Sequence, residues 1–209
     1  LAGVDVRRGR VLRKESVQRV QQNLEHLDSL GLDSRAAHSL AQVRRAWEPL
    51  ASVLDERAAP AALAELDERA EALLGAAEAL TGALEATGAR HALRIVNICG
   101  RPGMRAQRLA KDALLASLLG SDAVRARLTL TMDEFEAALL DLEQTPLSSA
   151  EIRATLAQAR DEWLVLLGGV RNADSADGRT ALVRASEALL LRFDQLTAAY
   201  ERSLQVIMS

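Results

Sequence analysis

Residues 91–119 read HALRIVNICGRPGMRAQRLAKDALLASLL. The composition is that of a helix, yet Gly100-Arg101-Pro102-Gly103 interrupts its middle. Proline removes a helical hydrogen bond and clashes one turn back, so a kink or break is expected over Gly100–Gly103. Wound straight at 100° per residue, the stretch brings Leu93, Asn97, Gly100, Met104, Gln107, Arg108, Lys111, Leu115 and Leu118 to one side, with Arg101 at its edge. Polar side chains on a core or interface side need partners, which makes Asn97, Arg101, Gln107, Arg108 and Lys111 the candidate site.

Outward from this stretch, the 209 residues suffice for one large or two small domains. Only Trp47, Phe135, Trp163, Phe193 and Tyr200 are aromatic, and a chain so rich in Ala, Leu, Arg and Glu is read as all-α. A net charge of −3 supplies no drive towards nucleic acid. The basic run Arg7, Arg8, Arg10, Arg13 and Lys14 lacks the interleaved aromatics of a single-strand binder and reads as a solvated helix face. No run of about 18 apolar residues is present to span a bilayer. Cys99 is alone, which excludes an internal disulfide, and His26, His38 and His91 lack metal-ligand spacing. No cofactor and no enzymatic activity is expected. The chain opens on Leu1-Ala2-Gly3 without an initiator Met, as a processed product would.

Residues from about 5 to 30 form a first helix with a Val17, Val20, Leu24, Leu27 stripe, ended by Gly31. Asp33 or Ser34 caps a second, to about Asp55, which Pro49 should kink or end early. Pro60 suits the first turn of a third, whose seam of Leu73, Ala77, Leu80 and Leu84 fails at Thr87-Gly88 and places a boundary there. A helix from about Asp122 to Glu143 is broken by Thr145-Pro146, and Ser148 with Glu151 makes a capping box for the next. Asn172 to Gly178 is read as a loop without the ligand pattern of a calcium site, and a last helix runs on from about Arg179.

At an offset of 116 the chain resembles itself. Leu40-Ala41-Gln42-Val43-Arg44 pairs with Leu156-Ala157-Gln158-Ala159-Arg160, Trp47 with Trp163, and Glu71-Ala72-Leu73-Leu74 with Glu187-Ala188-Leu189-Leu190. With one residue of slippage, Val17, Val20, Leu24 and Leu27 answer Met132, Phe135, Leu139 and Leu142. One register across several helices points to duplication. The expected architecture is an antiparallel up-and-down helical bundle, a tandem of a four-helix unit whose first copy is incomplete. Residues 1–87 would be the first repeat, its motif helix expected ahead of Leu1, and residues 88–209 a complete second repeat.

The run Asn97-Ile98-Cys99-Gly100-Arg101-Pro102-Gly103-Met104-Arg105-Ala106-Gln107-Arg108-Leu109-Ala110-Lys111 resembles the PilJ-type domain, the sensory N-terminal domain of type IV pilus methyl-accepting chemotaxis transducers. That family typically reads I-N-x-A-G-R-Q-R-M-L-S-Q-R-x-A-K and is related to the input domain of NarX-type nitrate/nitrite sensors. Asn97, Gly100, Arg101, Met104, Gln107, Arg108, Ala110 and Lys111 carry the likeness. It implies a periplasmic helical bundle that senses a small ligand and signals as a homodimer or through a partner protein. In the nitrate sensors an Arg just before the Met binds the anion; Gly103 stands there in this chain, with Pro102 and Ala106 replacing the family's Gln and Ser.

Two functional readings follow. In one, the chain is a periplasmic sensory module for a small anion, held by Arg101, Arg108 and Lys111 with Asn97 and Gln107 donating hydrogen bonds. In the other, it is a helical adaptor or scaffold in envelope or type IV pilus signalling without a small ligand, its polar cluster joining helices. Packing of 97–111 against other helices, or its opening on a polar cavity, discriminates the two.

Overall fold

The computed structural model describes residues 6–54, 62–86, 90–144 and 149–208. Among them are seven helices and no strand: α1 (Val6–Ser29), α2 (Ser34–Leu54), α3 (Leu63–Ala86), α4 (Arg90–Leu119), α5 (Asp122–Glu143), α6 (Ala150–Arg171) and α7 (Ala176–Met208). The chain is therefore all-α, as its composition implies. It divides into two compact units, Asp5–Leu93 and a second that holds Arg94–Ser209. The Thr87-Gly88 boundary, Pro60, Thr145-Pro146 and Ser148 of the expected capping box lie outside the described residues.

The second unit is an antiparallel bundle of α4 to α7. Gly120 turns the chain from α4 into α5 at φ 63°, a conformation glycine takes without steric cost, and its N–H returns to the Ala116 carbonyl at 3.0 Å. Ser121 then caps α5 by accepting from the Val124 N–H, and Ser149 caps α6 by accepting from the Ile152 N–H at 3.2 Å. The α6–α7 connection is shorter than the expected loop, because α7 already begins at Ala176. Ser175 Oγ accepts from the Gly178 N–H at 2.9 Å, and a Cβ on Gly178 would meet the Asn172 carbonyl oxygen at 1.9 Å. Only glycine fits so close a backbone approach.

The core of this unit is a chain of aromatic contacts. Phe135 of α5 stacks on Trp163 of α6 with centroids 4.2 Å apart, and meets Phe193 of α7 edge-on at 5.8 Å. Leu139, Leu142, Ile152, Leu166, Leu182, Leu189 and Leu196 surround them, none more than 2% exposed.

In the first unit Asp33 caps α2, its Oδ1 accepting from the Ala36 N–H at 2.8 Å. Pro49 does not end that helix, which continues to Leu54. The proline carbonyl instead accepts from Arg69 Nη1 of α3 at 2.7 Å. Leu24, Leu40, Val43, Trp47, Leu50 and Leu80 form the core, 4–7% exposed each, with Leu66 and Leu73 only partly buried around it. Less complete burial means less apolar area removed from water, at about 25 cal/mol per Å². Amides of α2 at Val43 and Trp47 are therefore expected to exchange hydrogen faster than those of α6 at Ala159 and Trp163. Equal protection of the two helices would contradict this.

Candidate functional site

Helix α4 carries the motif and runs unbroken from Arg90 to Leu119 with Pro102 inside it, so of the kink or break expected over Gly100–Gly103 the break is absent. One side of it is lined by small or apolar residues: Cys99, Ala106, Leu109, Ala110 and Ala113 belong to the core of the second unit, and Pro102 and Gly103 are buried. A Cβ on Gly103 would stand 3.2 Å from Leu190 Cδ1 and 3.4 Å from Phe193 Cβ. The position at which the resemblance puts the anion-binding Arg is thus filled against the aromatic core by α7. Gly103→Arg would force Leu190 aside and is expected to cost about 1–3 kcal/mol, as overpacked core substitutions do. Gly103→Ala needs only a small shift of the Leu190 end, so a thermal unfolding comparison should separate the two variants. Equal stability of the Arg variant and the unmodified chain would show that the side chain escapes the core.

The five candidate residues all lie on α4, in different degrees of burial. Gln107 Nε2 donates to the Ser186 carbonyl of α7 at 2.7 Å. Lys111 Nζ lies 3.0 Å from Asp112 Oδ1. Asn97 is buried, Arg108 is half-buried, and Arg101 projects to solvent. Gln107 and Lys111 are therefore engaged with protein groups, on different neighbours.

Asp112 was not singled out by sequence pattern, yet it is the most deeply buried charged group described. Its side chain is 0% exposed, and Arg127 of α5 binds it with both arms of the guanidinium, Nε at 2.9 Å and Nη2 at 2.6 Å. Such bidentate pairs fix geometry as well as charge. Seven residues earlier on α4, Arg105 Nε meets Glu134 Oε2 at 3.1 Å. The two pairs share one antiparallel register of α4 on α5, with the charges reversed between them. A slide of about two turns would bring like charges side by side, Arg105 against Arg127 in one direction and Asp112 against Glu134 in the other.

Cys99 also faces α7. Its thiol is fully buried and its pKa is raised from the ordinary 9.0 to about 11, chiefly by desolvation, with a hydrogen bond to Thr197 lowering it. Burial likewise raises the pKa of Tyr200, with the negative charge of an ionised Cys99 adding to it. At neutral pH the thiol is protonated and is no nucleophile. A folded-state pKa above the unfolded one gives stability that is complete below about pH 9 and lost as pH rises towards 11. Unfolding midpoints are expected to fall over that window, and Cys99→Ala should flatten the fall. An unchanged slope in the variant would assign it to Tyr200 and other groups.

The first unit has a surface groove of about 270 Å³ in its α1–α2 hairpin, lined by Leu27, Leu30, Leu32, Ala37, Leu40 and Ala41, with Asp28 and Arg44 at the polar edge. None of the candidate residues lines it.

Compared with known families, residues 86–189 match the model of the type IV pili methyl-accepting chemotaxis transducer N-terminal domain, PilJ. The matched span takes in the whole of α4, α5 and α6 and the first part of α7. No curated protein and no solved structure matches the chain. No described helix is long and apolar enough to cross a membrane. Through residues 86–189, which contain the motif helix and most of the bundle built on it, the chain belongs to the family of PilJ-type transducer N-terminal domains.

Proposed function

We propose that the chain is the periplasmic sensory part of a bacterial signalling protein and that, in this member of the family, the α4 motif fastens helices instead of holding a small anion. The observation that carries this reading is Gly103. At the position where related nitrate sensors present their arginine, this chain has no side chain at all, and Leu190 and Phe193 occupy the space. Two further motif residues agree: Gln107 is spent on the Ser186 carbonyl and Lys111 on Asp112. Charged and polar groups with protein partners at 2.7–3.0 Å have less to offer a diffusible ligand.

Input then reaches such a module through another protein, or through a change in how its helices pack. The α4–α5 ion pairs and the α4–α7 contact are the parts whose rearrangement would be passed on, since packed helices shift between discrete arrangements. A chimera joining this chain to the membrane span and signalling region of a methyl-accepting transducer tests the proposal. Gln107→Ala is expected to change its basal output while leaving the bundle folded. Output indifferent to Gln107→Ala and to Arg105→Ala alike would remove α4 packing from the signalling path.

A further inference from the structure

We infer that residues 5–85 are a second, diverged copy of the PilJ-type domain, ahead of the family match at 86–189. Any two amphipathic helices can be slid until their apolar stripes agree, so a likeness between two helices says little. Here a single displacement aligns features that are independent of one another.

At an offset of 116, α2 (Ser34–Leu54) falls on α6, which starts at Ala150. The five buried residues of α2, Ala36, Leu40, Val43, Trp47 and Leu50, then fall on Ile152, Leu156, Ala159, Trp163 and Leu166, all buried. The cap coincides as well: Asp33 accepts from the Ala36 N–H, and Ser149 from the Ile152 N–H. On the following helix, the buried Leu80 and Ala83 of α3 fall on the buried Leu196 and Ala199 of α7. Across the preceding turn, Arg44 pairs with Asp28 of α1, and Arg160 pairs with Glu143 of α5. The arginines are related by the same offset and the carboxylates by that offset with the one-residue slip that relates α1 to α5. Helix stripe, cap, tryptophan, interhelical ion pair and next helix thus share one register, which repeated architecture explains and chance does not.

What differs is the aromatic core: Val20 and Ala77 stand where Phe135 and Phe193 build it in the second unit. The first copy keeps the α1–α2–α3 frame and has lost the aromatic contacts around Trp47.

Exchange of equivalent helices within the full chain tests the inference. Residues 150–170 are placed at 34–54, and in a separate variant residues 34–54 are placed at 150–170, each in register. Control grafts carry the same segments shifted by two residues, which turns the tryptophan to the opposite face. At least one in-register graft is expected to keep the helical circular dichroism and a cooperative thermal transition, while both shifted grafts lose the transition. Loss of the transition in both in-register grafts, or its survival in shifted and in-register grafts alike, would overturn the shared descent of the two units.

Discussion

Trp163→Ala is expected to destabilise the second unit by about 3–5 kcal/mol, the range for truncating a buried aromatic residue. Trp163 is 2% exposed and stacks on Phe135, which in turn meets Phe193 edge-on, so its removal leaves a cavity and unstacks the centre of the bundle. The same change at Trp47 should cost less. That ring is 7% exposed, the residues packed around its small core are only partly buried, and no aromatic partner lies against it among the described residues. Chemical denaturation of the two variants and the unmodified chain, followed by far-ultraviolet circular dichroism, gives both values. A larger loss at Trp47 would reverse the ranking of the two cores.

Asp112→Ala is the other substitution with a large expected effect, about 3 kcal/mol. Removing one member of a buried, bidentate ion pair usually costs about 3–5 kcal/mol. Arg127 is 22% and Lys111 31% exposed, so both can recover some hydration, and the lower end of that range applies. Asp112→Asn keeps an acceptor for the guanidinium and should cost less than Asp112→Ala. In a double-mutant cycle, Arg127→Met should cost less in the Asp112→Ala background than in the unmodified chain, because the pair is already broken there. Additive losses would mean that Asp112 contributes through packing and not through the pair.

The fold was legible in the sequence because its signals are periodic. The Val17–Leu27 stripe, the tryptophans of α2 and α6 and the Leu139–Leu142 positions all mark buried sides, and Gly120 and Asp33 mark turns and caps. Helix α4 was harder, since it carries two stripes. The polar one is conspicuous on hydropathy grounds, whereas the side that enters the core of the second unit is made largely of Cys99, Gly103, Ala106, Ala110 and Ala113, small residues whose burial comes from close helix approach. Pro102 suggested a break, yet α4 continues through it as α2 does through Pro49. Packing against neighbours holds a helix through the loss of one hydrogen bond.

The candidate site was legible only in part. Gln107 and Lys111 need partners, as the pattern required, but the pattern could not say that the partners are the Ser186 carbonyl and Asp112. Asp112 itself follows Lys111 in sequence, and no spacing marks it for burial. Its burial depends on Arg127, fifteen residues away and on another helix, a relation that helical periodicity does not encode.

Whether the α4 motif binds an anion or fastens the bundle is decided most directly by calorimetric titration of the full chain with nitrate, nitrite and small carboxylates, alongside Arg101→Ala and Gly103→Arg. The account predicts no saturable heat from any of these anions with the unmodified chain. Saturable heat that Arg101→Ala abolishes, in a variant that unfolds at the same temperature as the unmodified chain, would contradict it and restore the anion site.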